Sequence, residues 1–299
     1  MKIVRLVFLI HFLKLLAAAD ESHPNWYLLD HDGCGESVSD KIIGGNVATL
    51  GQFPWMAQLG YTRKLFSSST PRYKCGGSLI NPLYVLTAAH CVSGLKGERM
   101  VRIRLGEHNT RTRKDCEDAV CAPPVQDFRP DKVISHEKFQ QPAMRNDIAL
   151  IRLDRPAKIT PYVGSICMPR GQLMIQNFVG SFMEIAGWGV SKLSGVSNKM
   201  STVLLHVRIP IIDKDKCREI VEDASMGPGQ FCAGGDEGFD SCRGDSGGPV
   251  MRVEAFGDTP RYYIVGLVSF GPRDCGTDKP AIYTDVTKYR KWILDHIQA

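Results

Sequence analysis

The sequence predicts an all-β fold, either a sandwich or a barrel. Short apolar runs with period-two alternation recur at intervals of about ten residues and are separated by glycine and proline. A chain of 299 residues that is 43% hydrophobic is long enough and apolar enough for a sizeable core. One helix is predicted over residues 287–298, where Trp292, Ile293, His296 and Ile297 fall on one face. The clearest strand-like runs are residues 55–59, 101–105, 148–153 and 262–268.

The first nineteen residues have the layout of a secretory signal peptide. Two basic residues precede an apolar run over residues 6–16, and three alanines then lead to a cleavage site after Ala19. His11 and Lys14 interrupt the run, so a short buried helix is the alternative interpretation. The run is too short and too polar for a membrane anchor, and no later stretch is apolar enough to span a bilayer. We therefore expect a secreted, extracellular protein without membrane partners.

The net charge gives no indication of a nucleic-acid partner. The formal charge is +5, and Lys2, Arg5 and Lys14 all lie within the predicted signal peptide, which leaves about +2 for the rest of the chain. A balance this close to neutral does not favour attraction to nucleic acid or to an anionic membrane surface. We expect neither as a partner.

Residues 244–249 read GDSGGP and form the first candidate catalytic motif. A serine between glycines on a tight turn can present an exposed hydroxyl, because glycine adopts backbone angles that other residues resist. The amides of Gly244 and Ser246 can then point at one spot, where an oxyanion would be held. Taken alone, the motif is also compatible with a polar surface turn.

Two upstream segments favour the catalytic interpretation: TAAHC at residues 87–91 and NDIAL at residues 146–150. A serine hydroxyl needs a base to take its proton, and a histidine base needs a third group to fix its tautomer. His90, Asp147 and Ser246 supply these roles in the chain order histidine, aspartate, serine. Alone, His90 would be read as a half-buried histidine and Asp147 as a turn residue. Together the three predict a catalytic triad.

These motifs resemble the chymotrypsin/trypsin-like serine proteases, and the similarity runs from about Ile42 to the C-terminus. The resemblance implies two six-stranded antiparallel barrels, with the active site between them and a C-terminal helix. It divides the chain into a signal peptide (1–19), a short propeptide or light chain (20–41) and a trypsin-like protease domain (42–299). It also implies a serine endopeptidase that requires no cofactor.

The junction between Lys41 and Ile42 resembles the activation site of a protease zymogen. In the family, cleavage at this point frees an α-amino group, here that of Ile42, which pairs with the aspartate before the nucleophile, here Asp245. A buried carboxylate needs such a partner, since an unpaired buried charge is costly. We therefore expect the uncut chain to be nearly inactive. A plain basic–apolar junction is the alternative interpretation.

Ten cysteines, an even number, indicate an oxidising compartment, and their spacing alone leaves the connectivity open. Zinc is the competing use of cysteine, but no two pairs have the spacing of zinc ligands. The resemblance implies that every cysteine is paired and that one bridge keeps the cut propeptide attached as a light chain. The implied pairs are Cys34–Cys167, Cys75–Cys91, Cys116–Cys121, Cys217–Cys232 and Cys242–Cys275.

Asp240 lies six residues before Ser246, the position that forms the floor of the primary specificity pocket in trypsin-like enzymes. A carboxylate at the bottom of a narrow pocket pairs with an incoming arginine or lysine and disfavours apolar side chains. In isolation Asp240 would only belong to an acidic, glycine-rich loop. The pocket walls resemble those of the family and include Ser269, Phe270, Gly271 and Ala281.

Two wall residues depart from trypsin itself. Phe270 replaces the usual tryptophan and keeps an apolar platform for the substrate chain. Ala281 replaces the usual glycine, so its methyl group intrudes where a long basic side chain must pass. We expect basic specificity with an altered ratio of arginine to lysine cleavage. A protease with non-basic specificity is the alternative.

A loop that opens at Glu107 binds calcium in some relatives, through carboxylate and carbonyl oxygens. Asp115, Glu117 and Asp118 are available here, but three basic residues lie on the same loop, at 111, 113 and 114. We expect a solvated mixed-charge loop and no metal, with a weak calcium site at Glu107 as the alternative.

The loop closed by Cys116 and Cys121, with the segment 122–127, looks most like the catalytic domains of arthropod clip-domain proteases. Their amino-terminal clip module needs six cysteines, and only Cys34 lies upstream, so we expect this module to be absent. The resemblance implies an extracellular proteolytic cascade with protein substrates, an upstream activating protease and a protein inhibitor. A venom or digestive protease and a non-catalytic secreted homologue that acts by binding are the alternatives.

Overall fold

The computed structural model describes residues 22–38, 47–63, 70–141, 143–190, 199–220, 226–235, 243–256, 259–272 and 278–299. These residues form fifteen β-strands and two short α-helices, so the predicted all-β class is confirmed. The four alternating runs lie in four of the strands, β1, β4, β9 and β14, whose bounds are β1 Met56–Arg63, β4 Glu98–Leu105, β9 Ala149–Leu153 and β14 Pro260–Phe270.

The N-terminal half is a seven-stranded antiparallel sheet in the order β7-β4-β1-β2-β3-β9-β8. Its end strands, β7 and β8, are consecutive in sequence and only Arg129 separates them. The sheet must therefore curl until its two ends meet, although β7 and β8 do not pair with each other among the described residues. The remaining strands are β2 Arg72–Asn81, β3 Tyr84–Thr87, β7 Gln126–Phe128 and β8 Pro130–Ser135. A separate hairpin pairs β5 Cys116–Glu117 with β6 Val120–Cys121.

The C-terminal half is a closed antiparallel barrel of six strands, in the order β10-β11-β12-β15-β14-β13. Closure pairs every strand on both sides and leaves no exposed sheet edge. The expected six-stranded barrel is thus present here, while the N-terminal half has seven strands. The other barrel strands are β10 Phe182–Gly187, β11 Leu205–Ile212, β12 Gln230–Gly234, β13 Pro249–Ala255 and β15 Pro280–Asp285.

Buried apolar side chains join the two halves. One core cluster holds side chains from the N-terminal sheet, such as Trp55 and Leu86, together with Met251 and Leu267 of the barrel. The Trp55 indole Nε1 lies 3.2 Å from the Met251 sulfur. Because this contact is fully buried, the two halves pack as one body.

The two helices are α1 Lys214–Ile220 and α2 Arg290–His296. The predicted C-terminal helix is therefore shorter than expected, because residues Val286–Lys288 form a 3-10 turn instead. The Asp285 carboxylate accepts the Thr287 amide at 3.0 Å and closes that turn. No helix in the described part of the chain is long and apolar enough to cross a membrane.

The N-terminal segment 22–38 docks on the C-terminal helix. The Asn25 side-chain amide donates to the carbonyls of Leu294 (2.8 Å) and Ile297 (3.1 Å), which are free at a helix end. The Arg290 guanidinium lies 5.3 Å from the centre of the Trp26 ring. The segment therefore packs on the body of the molecule through polar and cation–π contacts.

Four disulfide bonds lie within the described residues, and they are four of the pairs that the resemblance implied. They are Cys34–Cys167, Cys75–Cys91, Cys116–Cys121 and Cys217–Cys232. The first ties the N-terminal segment to the body of the molecule. Cys242 and Cys275 lie outside the described residues.

Candidate active site

His90 and Asp147 form a doubly hydrogen-bonded pair. His90 lies in a 3-10 turn, Ala89–Cys91, that follows β3. Its ring Nδ1 is 2.8 Å from Asp147 Oδ2, and its backbone amide donates to Asp147 Oδ1 at 2.8 Å. With Nδ1 donating to the carboxylate, Nε2 is the nitrogen that can accept a proton. The predicted orienting contact between Asp147 and His90 is therefore present.

The Asp147 carboxylate is fully buried and is stabilised by a third donor. The Ser269 hydroxyl donates to Asp147 Oδ2 at 2.5 Å, and the Thr284 hydroxyl donates to the Asp147 backbone carbonyl at 2.9 Å. The two donors on His90 and the Ser269 hydroxyl replace the water that burial removes from the carboxylate. From the sequence Ser269 was expected only as a pocket wall, and its contact with Asp147 was missed.

The turn that carries Ser246 lies against the strands that precede His90. The Ser246 carbonyl accepts the Gly76 amide of β2 at 2.8 Å and lies 3.6 Å from Cys91 Sγ, next to His90 in the chain. The backbone of Gly244 (φ +105°) and of Gly247 (φ +76°) is in the left-handed region that favours glycine. The structure thus brings the serine turn of the C-terminal half to the His90–Asp147 pair of the N-terminal half.

The Asp245 carboxylate lies beside the end of β10 and the residues that follow it. Its Oδ1 accepts the Gly189 amide at 2.8 Å. A Cβ atom on Gly187 or on Gly189 would come within 2.0 or 2.2 Å of a carboxylate oxygen, so glycine at both positions leaves room for Asp245 in this orientation. Lys41 and Ile42 lie outside the described residues, so the expected pairing of Ile42 with Asp245 stays a prediction.

The expected pocket walls face each other across neighbouring strands. Ser269 and Phe270 end β14, and Ala281 lies on the adjacent strand β15. A Cβ atom on Gly271 would lie 2.8 Å from the Ala281 methyl carbon, so this methyl group abuts the Gly271 backbone. Asp240, the expected pocket floor, lies outside the described residues.

The acidic loop around Glu107 does not fit a calcium ion. The Glu107 carboxylate accepts from Arg104 Nη1 (3.2 Å) and from the His108 amide (3.1 Å). Asp115 accepts the amides of His108 and Asn109, and Glu117 accepts the Leu50 amide. Burial, and then the charge of Asp115, raise the pKa of Glu107. The oxygens that calcium would need are engaged by protein donors, and Arg104 supplies the positive charge.

Among the described residues, one group of histidine and cysteine atoms has a metal-like spacing, namely Cys75, His90 and Cys91. Both cysteines are joined in a disulfide bond. A disulfide sulfur is not the thiolate that zinc requires, so this group does not fit zinc.

Comparison with known proteins agrees with this geometry. Residues 42–293 match the family described as Trypsin. The chain is 39% identical over 294 residues to the CLIP domain-containing serine protease HP8 of Bombyx mori, covering 94% of this chain and 76% of that protein. It is 38% identical over 282 residues to the Spaetzle-processing enzyme of Drosophila melanogaster, covering 90% and 69%.

A solved structure shows the same fold. The crystal structure of the Drosophila Grass clip serine protease of the Toll pathway aligns with a TM-score of 0.77 and 34% identity, and the alignment covers 89% of this chain and 75% of that one. The matched part of each relative is thus about as long as a trypsin-type catalytic domain. The chain belongs to the trypsin family of serine proteases, with arthropod clip-domain proteases among its relatives.

Proposed function

We propose that the chain is a secreted serine endopeptidase, made as a zymogen, that cleaves protein substrates after arginine or lysine. The observation that carries the proposal is the buried Asp147 carboxylate, which holds the His90 ring beside the turn of Ser246. A neutral imidazole oriented in this way is a general base for a serine hydroxyl.

In the proposed mechanism, Ser246 Oγ attacks the carbonyl carbon of the scissile peptide bond and passes its proton to His90 Nε2. Asp147 stabilises the imidazolium that forms. The amides of Gly244 and Ser246 hold the oxyanion, which is worth roughly 3 kcal/mol for each donor. His90 then protonates the leaving amine as the C–N bond breaks. A water molecule, deprotonated by His90, attacks the carbonyl carbon of the acyl ester. The bond from that carbon to Ser246 Oγ then breaks, His90 returns the proton to Oγ, and the new carboxyl terminus is released.

Specificity follows from the proposed pocket. A substrate arginine or lysine enters along the wall that Gly271 and Ala281 form and pairs with the Asp240 carboxylate. The contact of the Ala281 methyl group with the Gly271 backbone supports a narrower pocket than one walled by two glycines. A narrower pocket discriminates between the planar guanidinium group of arginine and the slimmer side chain of lysine.

Activation follows from cleavage after Lys41. The new α-ammonium group of Ile42 inserts and pairs with Asp245, whose carboxylate lies between Gly187 and Gly189. Asp245 is the residue before Ser246, so the pairing fixes the turn that carries the nucleophile and the oxyanion donors. The Cys34–Cys167 bridge then retains the segment before the cut as a light chain.

The relatives support a role in an extracellular proteolytic cascade. One is named a Spaetzle-processing enzyme, another is named Melanization protease 1, and the Grass protease is assigned to the Toll pathway. By analogy with these cascade proteases, we propose that a second protease activates this chain and that a protein inhibitor stops the active form. The proposed reaction itself needs only side chains, backbone amides and water.

The proposal is tested by controlled activation. The secreted chain is cut with a lysine-specific protease, Ile42 is confirmed as the new terminus, and arginine and lysine peptide amides are assayed before and after. Activity is expected only after the cut, and Ser246→Ala is expected to abolish both activity and labelling by a fluorophosphonate. Clean processing without hydrolysis of any peptide would instead indicate a binding protein built on the protease fold.

A further inference from the structure

A partly open cavity of about 130 Å³ lies on the C-terminal barrel. The loop 176–179, strand β12 and the start of α1 surround it, and none of the proposed active-site residues lines it. Its apolar wall consists of Phe178, Val179, Met183, Ile211, Ile212, Phe231 and Val265. Neither the proposed catalytic mechanism nor the proposed activation step uses this cavity.

Hydrogen bonds and ring stacking fix the walls of this cavity. The Gly180 amide donates to the Ile211 carbonyl and the Ile211 amide donates to the Ser181 carbonyl, each at 2.8 Å. The Phe231 ring stacks on Tyr283 with their centres 5.4 Å apart. A cavity built in this way exists before a ligand arrives, so binding incurs little ordering cost.

The segment beside the cavity exposes three large apolar side chains. Ile175, Val179 and Phe182 are 45%, 46% and 52% exposed and lie within eight residues of one another. The Arg208 guanidinium lies 5.6 Å from the centre of the Phe182 ring, and Arg208 forms no ion pair with any described residue. Clustered exposed apolar side chains are typical of surfaces that other proteins cover.

Lys214 gives the cavity a cationic group with spare donors. An ammonium has three N–H donors, and here one of them makes a long contact of 3.4 Å with the Gly227 carbonyl. Burial lowers the pKa of the Lys214 ammonium, and the negative charge of Asp285 offsets this only in part, so a further anion beside Lys214 would be stabilised. The Asp285 carboxylate in the same wall is engaged by the amide and hydroxyl of Thr287.

The size of the cavity limits what it can hold. An apolar cavity of roughly 150 Å³ accepts a molecule as large as benzene, whereas pockets for cofactors measure roughly 300–1,000 Å³. The cavity therefore suits one leucine, methionine or phenylalanine side chain. We infer that it docks a partner protein through one such side chain, with an adjacent aspartate or glutamate of the partner pairing with Lys214.

Short peptides and one methyl group of the protein test this inference without any catalytic step. The uncut chain, labelled with ¹³C at the methionine methyl groups, is titrated with acetyl-Gly-Leu-Asp-Gly-amide, which contains no basic residue to cleave. The Met183 resonance, assigned with Met183→Leu, is expected to shift saturably. The matched Leu-Asn and Ala-Asp peptides are expected to bind at least about fivefold more weakly, a difference of roughly 1 kcal/mol for each lost contact.

Paired variants separate charge at the cavity from charge on the helix. Lys214→Met is expected to bind the Leu-Asp peptide no better than the Leu-Asn peptide. Lys216→Met, which removes an exposed lysine from the same helix, is expected to leave the preference unchanged. The inference is overturned if no peptide shifts the Met183 resonance at peptide concentrations up to about 10 mM, which corresponds to a binding free energy near 3 kcal/mol. It is equally overturned if Lys214→Met still binds the Leu-Asp peptide better than the Leu-Asn peptide. The same holds if octanoate shifts the Met183 resonance while the peptides do not.

Discussion

The hydroxyl of Tyr289 donates a hydrogen bond of 3.0 Å to the side-chain oxygen of Asn146, one residue before the buried Asp147. Asn146 has a φ of +54°, in the left-handed region that residues with a side chain rarely adopt. Its amide nitrogen donates to the Lys138 carbonyl at 2.7 Å. A residue just before the C-terminal helix thus holds the strained backbone that presents Asp147 to His90.

Tyr289→Phe is therefore expected to lower kcat more than it changes KM. Loss of this hydrogen bond costs about 1–2 kcal/mol. If this cost falls on the position of Asp147 in the transition state, kcat decreases by roughly 5–30-fold. Burial and the charges of Asp285 and Asp147 raise the pKa of Tyr289 to about 12, so the phenol stays a donor across the pH range of the assay. Steady-state kinetics of the activated chain measure the effect. Tyr27→Phe, at a site that is 72% exposed, is the control. A lower Tm with an unchanged kcat would limit Tyr289 to a stabilising role.

Ala281→Gly is expected to raise kcat/KM for basic substrates and to alter their ratio. The change removes a methyl group that abuts the Gly271 backbone, which widens the proposed pocket by about one carbon. One methylene in a pocket is worth roughly 1–3 kcal/mol, so changes of about tenfold or more are expected. Matched arginine and lysine peptide amides provide the measurement. Ala57→Gly, in the buried strand β1, controls for the general cost of a buried glycine. If kcat/KM for both substrates equals the wild-type value, the Ala281 methyl group does not limit access to the proposed pocket.

Glu107→Gln is expected to stabilise the protein more at pH 7 than at pH 4. Burial and the Asp115 charge raise the pKa of Glu107, so its stabilising contribution is greatest when it is protonated. That contribution is lost as the pH rises from the ordinary carboxyl range through the raised pKa. Glutamine resembles the protonated acid and avoids this loss. Thermal melts at both pH values, with a chelator present, measure the difference in Tm. A larger benefit at pH 4 would contradict the sign, and added calcium is expected to leave either Tm unchanged.

Asn25→Ala is expected to destabilise the protein by about 1–2 kcal/mol, because the C-terminal end of α2 loses both hydrogen bonds from this side-chain amide. For a domain of this size the Tm should fall by roughly 2–8 °C. Gln141→Ala, which truncates an exposed amide side chain, is the matched control and should change the Tm little. An equal Tm in both variants would mean that the hydrogen bonds between Asn25 and the C-terminal helix do not stabilise the protein.

The sequence allowed the fold class and the His90–Asp147 contact to be predicted, because both have local signatures. Alternating runs mark strands wherever one face is buried, and short motifs place His90 and Asp147 at the ends of strands. The C-terminal helix was predicted too long, since the carboxylate of Asp285 converts the first turn to a 3-10 geometry. That effect depends on a single side-chain contact, which a periodicity analysis does not detect.

Contacts between distant residues account for what the sequence did not reveal. Ser269 is 122 residues from Asp147, and Asn25 is 269 residues from Leu294. The residues next to a lone serine at the end of a strand, or to an asparagine in a polar segment, form no local pattern that predicts its hydrogen-bond partner. The cavity beside Lys214 is likewise assembled from five separate stretches of chain, so it emerges only when the barrel closes.

The two glycines on either side of Trp188 have a consequence for genetic variation. Every missense change in a glycine codon introduces a Cβ atom, and here that atom would meet the Asp245 carboxylate at 2.0 or 2.2 Å. Any replacement at either codon therefore displaces the Asp245 carboxylate from its contact with the Gly189 amide, whatever the size or charge of the new side chain. In a population that depends on this protease, codons 187 and 189 should vary only synonymously, and an inherited substitution there should behave as a loss of function.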